Sequence, residues 1–102
     1  MCEAGKPVVG QFVKVIRGRD QEKYAIIIGI VDDRFVWIAD GNKRKFDQPK
    51  KKNLLHLQLL NEVSREVANS IQESGRVTNS KLRYALNKFV EKQLSEAREK
   101  GE

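Results

Sequence analysis

The most constraining feature of this sequence is an eight-residue run, residues 24–31, that contains no charged side chain. The run is rich in β-branched residues and too short for a long helix, so it predicts a strand. Successive side chains of a strand point to opposite faces, and both faces of this strand are apolar. A strand with one face in water alternates apolar and polar residues instead. The chain must therefore cover this strand on both sides.

Four more segments are predicted to pair with this strand. They are short and are bounded by turn residues: residues 8–16, 34–39, 42–48 and 54–57. Five short strands within about fifty residues fit a small, strongly bent barrel. The inside of such a barrel covers one face of the central strand, so the other face has to be covered by the rest of the chain.

Two turn signals set the predicted ends of these strands. Asp40-Gly41 predicts a type I′ hairpin turn, which needs a positive φ angle at both central residues. Pro49 lacks a backbone N–H and interrupts a strand ladder. The three lysines at residues 50–52 are therefore predicted to leave the sheet as a loop.

The second half of the chain changes to a helical period. The first apolar positions at helical spacing are Leu60, Val63, Val67 and Ile71. We predict a helix through them, with Asn61 as its N-cap and Gly75 just beyond its end. A second helix is predicted from about residue 80 to residue 100, with its apolar positions at Leu82, Leu86, Phe89, Val90, Leu94 and Ala97.

These elements predict a mainly β plus α fold with the helices on the outer face of the barrel. The predicted division is a barrel at residues 1–58 and a helical segment, packed on it, at residues 59–102. The basic charge is uneven between the two parts of the chain. The net charge is +6, and residues 1–53 carry 12 Lys and Arg against 7 Asp and Glu, whereas residues 54–102 carry 8 against 7.

An excess of positive charge on one module indicates a polyanion, above all a nucleic acid, as its partner. The candidate phosphate-contacting residues are Lys43, Arg44, Lys45, Lys50, Lys51, Lys52, Arg17, Arg19 and Lys23. The alternative is a solvated sheet edge, on which lysines prevent aggregation. Trp37 and Tyr24 could stack on bases, but packing beneath the helices is the favoured interpretation for both.

No pattern in the sequence points to catalysis, a metal site or a cofactor, and we expect none. His56 is the only histidine and has no nucleophile beside it. Asp32-Asp33 is explained more simply as a turn than as a metal pair. Cys2 is the only cysteine, which excludes an internal disulfide and is typical of a reducing compartment. No apolar run reaches the length of a membrane span and no signal-peptide pattern is present, so we expect a cytoplasmic protein.

Several motifs of the first half resemble the KOW domain, a small SH3-like barrel of ribosomal proteins and of transcription or translation factors. More narrowly, they resemble the fourteen-e family of large-subunit ribosomal proteins and, more closely still, the short bacterial KOW-containing RNA-binding proteins. The resemblance is carried by Gly10, Gly18-Arg19-Asp20, residues 30–36, Ala39-Asp40-Gly41, Arg44-Lys45, Pro49-Lys50-Lys51-Lys52-Asn53 and His56-Leu57. Its most specific part is the spacing from the Ala-Asp-Gly turn to the Pro-Lys-Lys-Lys-Asn segment.

The resemblance implies a KOW/SH3-like five-stranded barrel followed by two C-terminal helices. It also implies RNA binding in translation, with ribosomal RNA and ribosomal proteins as partners. Glu22 departs from the pattern, because the family usually has a glycine there, and glycine permits a positive φ angle. The alternative function is a protein-interaction adaptor of transcription or translation that uses the aromatic face of the barrel or the C-terminal helix.

Overall fold

In a computed structural model, which describes residues 6–19 and 21–100 and side chains as far as residue 94, five antiparallel strands are followed by two helices. The elements are β1 (Gln11–Val15), β2 (Tyr24–Ile30), β3 (Phe35–Ala39), β4 (Lys50–Asn53), a 3-10 turn (Leu54–His56), β5 (Leu57–Val63), α1 (Arg65–Ser74) and α2 (Asn79–Lys100). The strand order is β4-β3-β2-β1-β5. This architecture confirms the predicted fold class, a small β-sheet followed by two helices.

The sheet is strongly curved, because a very short connection joins its two edges. In a flat sheet of this order, β4 and β5 would be four strand spacings apart, roughly 19 Å. The link between them is the 3-residue turn Leu54–His56, and four peptide units span at most about 15 Å even when fully extended. The edges must therefore bend toward each other. This curvature supports the predicted barrel, whose closure stays a prediction.

Both faces of β2 are buried, as its sequence requires. The inner face of the sheet forms one cluster of buried side chains: Val13, Val15, Ala25, Ile27, Val36, Ile38 and Leu57. The outer face and the helices form the other: Phe12, Ile26, Ile28, Ala39, Val67, Val77, Leu82, Ala85, Leu86 and Phe89. The helices thus provide the second layer of cover. Division of the chain at residue 58 stays a prediction, and β5 runs across that position.

Aromatic contacts connect α2 to the outer face of the sheet. The rings of Phe12 and Phe89 are stacked with centroids 4.3 Å apart, and Tyr24 meets Phe89 edge-on at 5.5 Å. Tyr24 is partly buried against the helix-covered cluster, which agrees with the packing interpretation for this residue. Such pairs add about 0.5–1.5 kcal/mol to the stabilisation from burial alone.

Trp37 contradicts the expectation that the helices bury it, since 38% of its surface is exposed. It lies on the outer face of β3 between Phe35 and Ala39, and of these residues only Ala39 belongs to the helix-covered cluster. The helices contact β2 and cover one end of the outer face. The indole of Trp37 does not belong to the cluster that the helices cover.

The segment 42–48, predicted as the fourth strand, is a loop. The side chain of Asp40 organises this loop, because its Oδ1 accepts the N–H groups of Asn42 at 2.8 Å and of Arg44 at 2.9 Å. Gly41 has a φ of +79°, whereas Asp40 does not have a positive φ. The predicted type I′ turn is therefore wrong, since that turn needs both residues in the left-handed region.

The lysine segment predicted as a loop is a strand. Lys50–Asn53 form β4 and pair antiparallel with β3, with Ile38 opposite Lys50 and Phe35 opposite Asn53. Pro49 immediately precedes the first residue of this edge strand, where its missing N–H removes no ladder hydrogen bond. A proline at this position starts the strand instead of preventing it.

The first predicted helix begins later than its apolar spacing indicates. Leu60 and Val63 lie in β5, and Asn61 is an exposed strand residue instead of an N-cap. The N-cap is Ser64, whose Oγ accepts the N–H of Val67 at 3.3 Å. The end of the helix is confirmed, because Gly75 has a φ of +78° and donates its N–H to the carbonyl of Ile71. The second helix, α2, agrees with its predicted extent.

Two residues and one side chain named above lie outside the part of the chain that the structure describes. They are Cys2, Asp20 and, for its side chain, Ala97.

Glu22 adopts the backbone conformation that glycine would favour, with a φ of +76°. Its N–H donates to the carbonyl of Val15 at 2.7 Å, and its carboxylate pairs with Lys14 at 3.2 Å. The ion pair is exposed and adds little stability. The left-handed region costs an ordinary residue about 1–2 kcal/mol. The turn therefore contains local backbone strain.

Replacing Glu22 with glycine is expected to raise the free energy of unfolding by about 0.5–1 kcal/mol. Glycine relieves the steric cost of the positive φ, and part of that gain is offset by a more flexible unfolded chain. Urea denaturation measures the change. Glu22→Ala is the matched control, because it also removes the ion pair but keeps the Cβ. Equal midpoints for the two variants would show that the strain is absent.

Candidate functional site at the basic end of the sheet

Two basic loops leave the sheet at the same end. In an antiparallel sheet, the end of β1, the start of β2, the end of β3 and the start of β4 lie side by side. The β1–β2 loop therefore lies beside the β3–β4 loop, and we call this region the basic end. Its loop cations are Arg17, Arg19, Lys23, Lys43, Arg44 and Lys45.

Lys52 joins strand β4 to the first of these loops. A Cβ atom built on Gly18 would lie 2.8 Å from the Nζ of Lys52, so the ammonium group rests against the loop backbone. Lys52 is opposite Val36 and Lys50 is opposite Ile38, which places both lysines on the inner face of the sheet. Their aliphatic stems can cover the rim of the inner cluster while the charges reach water. The candidate cations Lys50 and Lys52 thus belong to strand β4, beside the loops of the basic end.

Lys51 lies on the opposite face from its two neighbours. It is opposite Trp37 in the β3–β4 ladder, and its Nζ lies 4.9 Å from the ring centroid of Phe35. Strand alternation separates the side chains of consecutive residues in this way. The lysine triplet is therefore not one cluster: Lys50 and Lys52 lie on the inner face of the sheet, and Lys51 lies on the outer face beside Trp37.

The two basic loops approach each other at Lys23. A narrow cleft between β2 and the β3–β4 loop is lined by Lys23, Lys43 and Arg44, with the carboxylate of Asp40 beside them. This carboxylate is already held by two backbone N–H groups of its own loop. Lys45 is exposed further along the same loop. The structure therefore brings cations of both loops to a common edge.

None of the nine candidate cations forms an ion pair with a carboxylate within residues 6–19 and 21–94, although the charge of Lys51 adds to the backbone hydrogen bonds that lower the pKa of nearby Asp32. The ion pairs in that part of the chain join Lys14 to Glu22 and Lys92 to Glu62, both at 3.2 Å. Charges without a neutralising partner produce a positive field that attracts phosphate groups. The arrangement can hold a polyanion, and it presents both guanidinium forks and mobile ammonium groups to it.

The turn interpretation of Asp32-Asp33 is confirmed. Asp32 accepts the N–H groups of Arg34 at 2.8 Å and Phe35 at 2.9 Å through one carboxylate oxygen. These hydrogen bonds hold the pKa of Asp32 below its usual value, because they stabilise the ionised form. Within the described part of the chain, no three acidic, histidine or cysteine side chains are grouped as a metal site would require.

The sequence did not reveal how α2 holds the β3–β4 loop. Asn79 Oδ1 accepts the N–H of Phe46 at 2.8 Å, and Arg83 Nη1 donates to the carbonyl of Gly41 at 2.7 Å. A Cβ on Gly41 would lie 2.9 Å from that of Leu82 and closer still to the carbonyl oxygen of Asn79. These contacts join residues more than thirty positions apart, so no local sequence pattern signals them.

Replacing Asn79 with alanine is expected to lower the free energy of unfolding by about 1 kcal/mol, because the N–H of Phe46 loses its acceptor. It should also loosen the basic loop without changing the net charge. Thermal denaturation measures the first effect, and amide hydrogen exchange at Phe46 measures the second. Asn87→Ala is the control, as Asn87 is an exposed residue of the same helix. Unchanged exchange at Phe46 would contradict this anchoring role.

The described residues contain no helix of the length and hydrophobicity needed to cross a membrane. The fold is that of a small α+β protein with cations of two loops at one end of its sheet. No protein-family model matches the chain. The chain is 47% identical over 72 residues to a Bacillus subtilis (strain 168) protein named "Putative ribosome-binding protein YbzG", and this match spans 71% of the chain and 97% of that protein. The chain therefore belongs to the same family as that protein.

Proposed function

We propose that this protein binds the ribosome, and that it does so by contacting RNA with the basic end of the sheet. The observation that carries the proposal is the convergence of two cationic loops and two β4 lysines at one end of the fold. The name of the Bacillus subtilis relative supports the ribosome as the partner. The KOW-like motifs support RNA as the molecule contacted, and both would place the protein in the cytoplasm.

The proposed mechanism is neutralisation of phosphates by exposed cations. Each phosphate contact releases condensed counterions, so affinity falls steeply as salt is added. Contacts to phosphates position a protein on RNA without reading its bases. Paired RNA is recognised mostly by its shape and backbone, which suits a curved cationic surface. The anchor formed by Asn79 and Arg83 would hold the β3–β4 loop ready for this contact.

Sedimentation with purified Bacillus subtilis ribosomes tests the proposed function. The full chain is expected to travel with ribosomes at about 50 mM salt and to be released largely by about 200 mM, as a contact of many phosphates requires. The same preparation digested with ribonuclease should lose the protein at low salt. A protein that stays at the top of the gradient under both conditions would contradict the proposal.

A second candidate function is a protein-interaction adaptor, and α2 provides the observation that favours it. Tyr84 and Leu94 on this helix are 58% and 60% exposed. An open groove with a volume of about 610 Å³ runs beside Tyr84, and Phe12 and Phe89 contribute to its lining. Apolar contacts are far less sensitive to salt than phosphate contacts. Binding to ribosomes that survives high salt would therefore favour this candidate.

A further inference from the structure

We propose that Trp37 is a stacking platform for an unpaired RNA base, next to the cations of strand β4. The proposal rests on the proposed function and extends it, because it adds a contact with a base to the contacts with phosphates. It names single-stranded or looped RNA as the ligand of the outer face. Four features of the structure support it.

The first feature is the orientation of the indole. Trp37 is paired with Gly29 across the β2–β3 ladder, and a Cβ on Gly29 would lie 3.2 Å from Trp37 Cδ1. The missing side chain leaves space for the indole to lie against β2. At 38% exposure, the ring is supported by the sheet and open to solvent at the same time. A rigid ring of this kind needs little ordering when it stacks on a base.

The second feature is the charge beside the ring. Lys51 is opposite Trp37 on the same face, and Arg34 is exposed just before β3. Within the described residues, neither cation forms an ion pair with a carboxylate, but the charges of both add to the backbone hydrogen bonds that lower the pKa of Asp32. Lys51 also lies 4.9 Å from the ring centroid of Phe35. A base on Trp37 would therefore have the ammonium group of Lys51 within reach of its phosphates. An aromatic platform flanked by cations is the usual combination for binding single strands.

The third feature is continuity with the basic end. Strand β4 is an edge of the sheet, and its side chains alternate between the two faces. Lys50 and Lys52 lie on the inner face, with the Nζ of Lys52 against Gly18 of the β1–β2 loop, whereas Lys51 lies on the outer face opposite Trp37. One RNA strand can therefore run from the basic loops, across the β4 edge, to the ring of Trp37 while contacting cations along the way.

The fourth feature is the acidic limit of this surface. Asp32 and Asp33 form the turn after β2, and the carboxylate of Asp32 is directed into its own turn by two backbone N–H groups. Phosphates are repelled from this turn, so the strand would end its contact near Trp37. The platform is therefore placed at one end of the RNA track and not in its middle.

Trp37 is the only tryptophan, so its fluorescence reports directly on the platform. The full chain is titrated with oligouridylate and oligoadenylate of about 12 nucleotides, and with a fully paired duplex of the same length. Both single strands are expected to quench the emission of Trp37. The duplex should bind through phosphates and leave the emission almost unchanged, because its bases are already stacked on each other.

Trp37→Ala is expected to weaken binding of the single strands roughly 5- to 150-fold, the range for loss of one stacked base. The slope of log affinity against log salt should stay the same, since stacking releases no counterions. Trp37→Phe keeps a ring and should weaken binding less, which also covers the case in which the alanine variant folds poorly. Tyr84→Ala is the matched control, because it removes an exposed aromatic ring that lies on α2 and not on the β3–β4 face.

Three results would overturn the proposal that Trp37 is a stacking platform. Salt-sensitive RNA binding with no quenching and no effect of Trp37→Ala would remove the platform and leave the proposed function standing. Normal RNA binding by Trp37→Ala, together with loss of sedimentation with ribosomes, would show that Trp37 contacts a ribosomal protein. No RNA binding by the unchanged protein would reject the proposed function and the platform together.

Discussion

Replacing Phe89 with alanine is expected to lower the free energy of unfolding by about 3–5 kcal/mol, the usual cost of removing a large buried aromatic side chain. Phe89 is 3% exposed and lies between the stacked ring of Phe12 and the edge of Tyr24. Its loss leaves a cavity between α2 and the sheet that neighbouring side chains fill only in part. Urea denaturation followed by circular dichroism measures the change.

Leu94→Ala is the control for this experiment. Leu94 lies on the same helix but is 60% exposed, so its replacement should change stability by no more than about 0.5 kcal/mol. The native emission of Trp37 should be the same in the Phe89 variant, because Trp37 lies outside the helix-covered cluster. A loss below about 1 kcal/mol for Phe89→Ala would show that α2 does not dock firmly on the sheet in solution.

Removing three exposed charges from the basic end is expected to have the largest effect on binding. The variant replaces Arg17, Lys23 and Lys43 with alanine, and these side chains are exposed in the two loops. If all three contact phosphates, the slope of log affinity against log salt flattens by about two to three units. At about 0.15 M salt, this corresponds to roughly a hundredfold loss of RNA affinity. Filter binding over a salt series measures both quantities.

A triple variant of the C-terminal helical segment, which includes the link between α1 and α2, provides the matched control. Arg65, Arg76 and Lys88 are also exposed, and replacing them with alanine removes the same net charge from outside the basic end. We expect a much smaller loss of affinity and an unchanged salt slope. Both triple variants should keep the stability of the unchanged protein, since exposed substitutions rarely matter by more than about 0.5 kcal/mol. Equal losses in the two variants would indicate a non-specific attraction by net charge.

The sequence predicted the layers of this fold because one strand required them. Residues 24–31 are apolar on both faces, and Ile26 and Ile27, on opposite faces of β2, are each completely buried. Helix α2 was predictable for the same kind of reason, as its buried positions keep the helical period. In both cases, an apolar pattern that continues over many residues predicted the element correctly.

Two of the wrong predictions are the loop at residues 50–52 and the helix that begins at Leu60. In both, the effect of a short sequence pattern depends on its position in the sheet. Pro49 interrupts a strand interior but is tolerated just before an edge strand, so residues 50–53 pair with β3. The spacing of Leu60 and Val63 matches a helix because β5 contains an irregular register opposite β1. Three residues of β5 lie between the partners of Gln11 and Val13, which shifts its side chains away from simple alternation.

The candidate site was predictable in outline only. Antiparallel neighbours bring alternate loops to one end of a sheet, so clustering of the loop cations followed from the strand order. The division of the lysine triplet depends on the register of β4, and the contact between Lys52 and Gly18 depends on the curvature of the sheet. Exposure of Trp37 depends on where α2 ends its contact with the sheet. None of these features is encoded in a short stretch of sequence.

Cross-linking of RNA to the full chain in living cells tests the central proposal most directly. Cells producing the protein are irradiated, and the attached RNA and the attached peptides are both identified. We predict ribosomal RNA as the main attached species, with attachment sites in residues 17–23 and 43–52 and at Trp37. We also expect a strong loss of attached RNA for the variant lacking Arg17, Lys23 and Lys43. Attachment confined to α1 and α2, or the absence of ribosomal RNA from the attached species, would contradict the proposal.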